Sequence, residues 1–154
     1  MRSSFALFAG LATVCILTSC GGQSTTAGDF DTRPVKLPNG KTIQAEVMVK
    51  EQDMYRGMMF RDSLPPGRGM LFVHGQPSKV PYYMYQVRIP LDIIWIDTDR
   101  KIVEIAANTP PCHAKSPTGC PTYGGHYLAQ WVLELGGGEA AKNGLAVGDT
   151  LSFY

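Results

Sequence analysis

The stretch Leu91-Asp92-Ile93-Ile94-Trp95-Ile96-Asp97-Thr98-Asp99-Arg100-Lys101-Ile102-Val103-Glu104-Ile105-Ala106 decides the fold. A dense apolar run, 91–96, stops at the turn formers Asp97-Thr98-Asp99-Arg100 and returns at 101–106 with Ile102, Val103 and Ile105. Branched and aromatic side chains suit a pleated surface, and Asp bonds readily to the backbone of a turn, so this stretch predicts a β-hairpin.

A second hairpin is predicted upstream, where 35–37 and 41–49 flank Pro38-Asn39-Gly40. Asn-Gly supplies the left-handed conformations that tight hairpin turns demand. In its second arm Ile43, Ala45, Val47 and Val49 alternate with Thr42, Gln44, Glu46 and Met48, the period of a strand with one buried face. From Lys50 the period changes. Met54, Tyr55, Met58 and Met59 mark one face of a short helix, with Leu64-Pro65-Pro66-Gly67 as its terminator.

Strands are expected at 70–74 and 82–87, then a long Pro- and Gly-rich loop at 108–126. At 127–135, Ala129, Trp131, Leu133 and Leu135 share one face and Gln130 and Glu134 the other, marking a candidate central strand. Residues 138–143 suit a turn or two of helix stopped by Gly144, and Gly148-Asp149 leads into a final strand at 150–154. About seven strands and two short helices, mostly joined to their neighbours by short links, predict an α+β fold with a mostly antiparallel or mixed sheet. So many short strands favour a strongly curled sheet or a small barrel.

The N-terminal residues give an address. Arg2 and the terminal amine form a thin positive region, Phe5 opens an apolar stretch of residues 5–17, and Leu17-Thr18-Ser19-Cys20 reads as the lipobox of a bacterial lipoprotein. That apolar stretch suits a signal peptide and is too short to span a bilayer. Residues 1–19 would be removed and Cys20 acylated, because stable anchoring takes more than one buried acyl chain. Residues 20–32, beginning Cys20-Gly21-Gly22-Gln23-Ser24, have the small polar composition of a tether, leaving 33–154 as a single domain. Gly21 rather than Asp after the acylated cysteine favours the outer membrane, facing the periplasm, in a Gram-negative cell. The partner implied is the membrane itself through the lipid anchor, with an envelope protein or glycan as a further candidate. Without Arg2 the 14 Lys and Arg fall level with the 13 Asp and Glu, so no basic field recommends nucleic acid.

An ordered series, Arg56-Gly57-Met58-Met59-Phe60-Arg61, then Gly69-Met70-Leu71-Phe72-Val73, then Ile89-Pro90-Leu91-Asp92-Ile93-Ile94-Trp95-Ile96-Asp97, closely resembles the domain of unknown function 192 family. Trp131-Val132-Leu133-Glu134-Leu135 and Gly144-Leu145-Ala146-Val147-Gly148-Asp149 also fit. The resemblance, from about Lys41 onward, implies a compact β-rich domain, often exported, with no agreed activity. Where members of that family typically carry Trp-Met-Lys-Asn-Thr, this chain has Tyr83-Met84-Tyr85-Gln86-Val87.

Four constellations are candidates for chemistry. Cys112 and Cys120, set among Pro111, Pro117, Gly119 and Pro121, are predicted to pair as a disulfide outside the cytosol; with His113 and His126 they are also the residue types of a zinc site, but at no standard zinc spacing. Met54, Met58, Met59, Met70 and Met84, with His74, suit either copper(I) or a buried core. Asp92 lies in the apolar run and is expected to point inward, as a buried ion pair with Arg56, Arg61 or Arg88, or as a catalytic acid beside His74 or His126; Glu104 and Glu134 are read as solvated. Tyr82, Tyr83, Tyr85, Trp95, Tyr123 and Tyr127 are the preferred binding surface, an aromatic platform for a glycan or protein. No hydrolase signature occurs, and Gly136-Gly137-Gly138 lacks the Lys-Ser/Thr end of a phosphate loop. The expected role is binding or accessory rather than catalytic, with no cofactor and no metal.

Overall fold

The computed structural model describes residues 30–153; the lipobox, Cys20 and residues 20–29 of the tether lie outside them. The elements in chain order are β1 (Thr32–Lys36), β2 (Thr42–Met48), α1 (Glu51–Arg56), β3 (Arg68–Ser78), β4 (Tyr82–Tyr83), β5 (Leu91–Ile96), β6 (Ile102–Thr109), β7 (Thr122–Tyr123), β8 (Ala129–Gly136) and α2 (Glu139–Lys142). A turn of 3-10 helix, Pro117–Gly119, interrupts the long loop.

Six strands form one mixed sheet in the order β1-β2-β3-β8-β5-β6, and β4 and β7 form a separate two-stranded ribbon. Only β2 and β3 run parallel, because the chain crosses between them through α1. The other adjacent pairs in the sheet are antiparallel. The sheet stays open rather than closing as a barrel. Its two edge regions are joined instead through residues 150–152, which bridge Lys101 by way of Thr150 and Lys36 by way of Ser152.

Both predicted hairpins form, and local turn chemistry explains why. Asp97 Oδ1 accepts from the N–H groups of Asp99 and Lys101, and Asn39 Oδ1 accepts from the Lys41 N–H while Gly40 takes φ +83°. The first helix ends sooner than its pattern predicts. Gly57, at φ +42°, closes α1 at Arg56 and leaves Met58 and Met59 in the turn that follows. The expected strand 82–87 shrinks to β4, since Gln86 adopts the left-handed region at φ +57°. The expected strand 150–154 is reduced to the isolated bridges at Thr150 and Ser152.

Neither face of the sheet is open to solvent at its centre. On one face Val35, Ile43, Leu71, Ile94, Leu133, Leu145, Leu151 and Phe153 form a core closed by α2 and the 150–153 segment. On the other, Met48, Met58, Met70, Phe72, Met84, Ile93, Trp95 and Val132 form a methionine-rich core. Burial on both faces is why β5 reads as a continuous apolar run, with all six residues buried. Burying each large side chain contributes about 1.5–3 kcal/mol, so both faces hold the sheet together.

Candidate functional site

One strand carries a carboxylate into the second core. On β8, Leu133 and Leu135 face the first core while Val132 and Glu134 face the methionine-rich one. Across the sheet Glu134 lies level with Met70 on β3 and Ile93 on β5, and Met70 lies level with Glu46 on β2. Glu46 and Glu134 therefore stand on the same face, two strands apart. Neither is solvated: Glu46 is 1% exposed and Glu134 5%. The expectation that Glu134 lies on a solvated face fails because α1, the turn after it and the β4–β7 ribbon cover that face. Glu104 is likewise mostly covered and is hydrogen-bonded by the ring and backbone N–H of His126.

The two glutamates meet different partners. Arg61 clamps Glu46 with two hydrogen bonds of 2.8 and 2.7 Å, the fork geometry that gives guanidinium pairs their strength. Glu134 Oε2 is buried with no hydrogen-bond partner among the described residues. Burial raises the Glu134 carboxyl to about 8, with the Arg61 charge working in the opposite direction. A group in this state holds a proton near neutral pH, where an exposed glutamate would be ionised.

Beside Glu134 opens a cavity of about 190 Å³. Its apolar wall includes Met54, Met58, Met59, Phe72, Pro81 and Val87, its aromatic rim Tyr55, Tyr82, Tyr83 and Tyr85, and its polar groups Arg56, His74 and Glu134. Tyr82 is fixed by edge-to-face contacts with Phe72 at 5.2 Å and Trp95 at 5.8 Å. Its hydroxyl lies 3.2 Å from His74 Nε2. Burial, followed by the Glu134 charge, pushes the Tyr82 phenol above its ordinary range, while burial lowers His74. Both are therefore neutral hydrogen-bonding groups near pH 7.

The aromatic platform divides in the structure. Tyr82, Tyr83 and Tyr85 line the cavity, and Tyr123 pairs with Tyr82 between β7 and β4. Trp95 is 0% exposed and forms no part of a surface: its Nε1–H donates to the Val80 carbonyl at 2.9 Å, and Gly124 passes so close that a Cβ there would sit 2.4 Å from the indole. Tyr127 is 57% exposed and does not line the cavity.

Asp92 is buried as expected, but its ion pair is replaced. It projects from β5 toward the first core, where Oδ1 accepts from the N–H groups of Asn108 (2.6 Å) and Gly138 (3.0 Å) and Oδ2 from that of Ala140 (2.7 Å). Backbone donors at the start of α2 thus do what a guanidinium was expected to do. Arg61 is engaged by Glu46, Arg88 reaches Asp62 at the surface, and Arg56 lines the cavity. Asp92 stands on the opposite face from His74, and His126 pairs with Glu104, so the Asp92–histidine catalytic pair is not assembled.

Cys112 and Cys120 are joined as a disulfide, Cα to Cα 5.9 Å, which pins the loop that carries β7 over Trp95. Among the described residues no three His, Cys, Asp or Glu side chains converge as a metal site. Met58, Met59, Met70 and Met84 are buried packing residues, and Met54 faces the cavity. Glu46 is a functional candidate that sequence reasoning does not single out, and Glu134 one that it assigns to solvent. The signal available was a charged residue at alternate positions of strands whose other face was already apolar.

Comparison with known proteins places this architecture. The family model DUF192, described as an uncharacterized ACR, matches residues 35–153. A Sinorhizobium meliloti 1021 protein described as a candidate transcription regulator is 28% identical, with a TM-score of 0.70 over 80% of this chain and 95% of its own. A Novosphingobium aromaticivorans DSM 12444 protein of unknown function is 25% identical, with a TM-score of 0.69 over 92% of this chain and 99% of its own. No curated protein matches the chain.

Proposed function

We propose, for a chain that belongs to the DUF192 family, the role of a lipid-anchored envelope protein whose domain binds a small ligand and does not transform it. One observation carries the binding role: a mostly apolar cavity of about 190 Å³ is lined by Glu134, whose buried carboxyl keeps an oxygen without a hydrogen-bond partner among the described residues. Concave apolar sites with a few placed polar groups are how folded domains hold small molecules. An unmade hydrogen bond inside such a site is costly, and an incoming donor removes that cost.

The cavity also favours binding over catalysis. Asp92 and the exposed His126 lie away from it, and its neutral His74 and Tyr82 position a guest without presenting an activated nucleophile. The regulator description of the Sinorhizobium protein is not carried over, because the charge balance of this chain gives a phosphate backbone nothing to follow. The anchored location rests on Leu17-Thr18-Ser19-Cys20 and the apolar stretch before it. From there the domain would face the periplasm of a Gram-negative cell, within reach of envelope proteins and glycans.

Two measurements test the reading. Small molecules of mixed chemistry titrated into the full-length protein in detergent should perturb the methyl resonances of Met54 and Met58 saturably; silence of both methyls toward every compound class ends the binding role. Cys20→Ser should move the protein from the membrane to the soluble fraction; equal membrane retention ends the anchoring role.

A further inference from the structure

Resting on the ligand-binding reading above, we infer that the cavity takes a flat, largely apolar ring compound carrying one neutral N–H or O–H group, which donates to Glu134. The size of the space comes first. A cavity of roughly 150 Å³ is enough to bind benzene, so about 190 Å³ seats one or two fused rings.

The walls decide between apolar and polyhydroxyl guests. Met54, Met58, Phe72 and Pro81 offer thioether, ring and methylene surface, which suits a π face and gives nothing to a hydroxyl. A sugar ring would press hydroxyls against this surface, and each one out of reach of His74, Arg56 and the tyrosine hydroxyls would be buried without a partner at a cost of about 1–3 kcal/mol.

The polar end sets the ligand's one specific contact. Glu134 lines the cavity and its Oε2 is buried without a hydrogen-bond partner among the described residues, whereas the buried Asp92 has both oxygens engaged by backbone donors. A carboxyl accepts a hydrogen bond whether ionised or neutral but donates only when protonated, so a donor on the ligand matches both states. The donor must be uncharged. A cationic guest would have to give up its hydration inside a mostly apolar cavity, beside a carboxyl that burial keeps protonated near neutral pH. A heteroaromatic N–H or a phenolic O–H meets all of these conditions.

The test compares indole with benzofuran, its near-isostere without the N–H, by titration into the full-length protein with the Met54 and Met58 methyls as reporters. Indole should bind about tenfold more tightly, the difference one hydrogen bond makes. In Glu134→Leu, or Glu134→Met should the first variant fold poorly, that preference should vanish. Equal binding of the two compounds by the parent overturns the inferred ligand class while the cavity stands as a site. Tighter binding of methyl glucoside than of indole, or a preference for indole that survives both variants, does the same. Binding by none of the compounds overturns the site itself.

Discussion

The two faces of the sheet bury their acids in opposite ways. Asp92, on the face closed by α2 and the 150–153 segment, has three backbone N–H donors and no orphaned oxygen. Glu134, on the methionine-rich face, keeps a buried oxygen without a partner beside open space. The difference teaches how to separate architecture from function in a domain whose family name carries no activity. A buried acid that the fold fully satisfies holds the fold together, whereas one left incomplete next to a cavity marks a candidate site.

Several substitutions break or sharpen that contrast. Asp92→Ala should be the most damaging, because it removes the acceptor of three N–H groups at once and strands the buried one of Ala140; a loss of about 3–5 kcal/mol is expected in urea or guanidinium unfolding. A loss below about 1 kcal/mol would remove Asp92 as the brace of the first face. Glu134→Gln should behave in the opposite sense. Below about pH 4.5 the parent carboxyl is neutral in both folded and unfolded chains. As pH rises toward about 8 the unfolded chain releases this proton and the folded chain retains it, so stability drains away. The variant should match the parent near pH 4 and exceed it at pH 9 by on the order of 3 kcal/mol. His74, lowered by burial, contributes a slope of opposite sign on the acid side, which the parent-minus-variant difference cancels. Parallel pH profiles for parent and variant would contradict an ionisation held back by burial.

Smaller effects probe the cover of the second face. Replacing both Cys112 and Cys120 by Ser frees a short loop and should cost about 2.5 kcal/mol in the chain-entropy account. It should also loosen the Gly124 segment over Trp95, which indole fluorescence reports. An unchanged midpoint would show that β7 is held by its packing alone. Gln86→Asn should stabilise by about 0.5–1 kcal/mol, since Gln86 occupies the left-handed region at φ +57° and Asn tolerates it better. This is where the chain departs from the Trp-Met-Lys-Asn-Thr pattern of the family it resembles, and Gln86 accepts a backbone bond from Phe60, itself at φ +65°. Any destabilisation by this change would sink that account.

Elements set by local chemistry were legible in the sequence. The Asn39-Gly40 and Asp97-to-Arg100 turns announce both hairpins, and the α+β class follows from them. What was illegible depends on cover supplied from far away in the chain. Glu134 alternates with leucines as a solvent-facing residue would, and only α1 and the β4–β7 ribbon make its face an interior. Trp95 belonged to the aromatic set by composition, yet its neighbour Gly124 is distant in sequence and seals it. For Asp92 the inward orientation was readable; its partners were not, since backbone N–H groups leave no mark in a sequence pattern. The candidate site was therefore half visible, its tyrosines in view and its carboxyl hidden.

The bridge from Lys36 to Ser152 has a bearing on when the molecule can finish folding. Ribosomes deliver the N-terminal end first, and Leu151 and Phe153, both almost wholly enclosed, are among the later arrivals that complete the first core. Until they emerge, the β1–β2 hairpin lacks its mate and the half-made body stays pliable. Were the chain exported as proposed, such tardiness would be an advantage, keeping the body pliable until this late-made latch arrives.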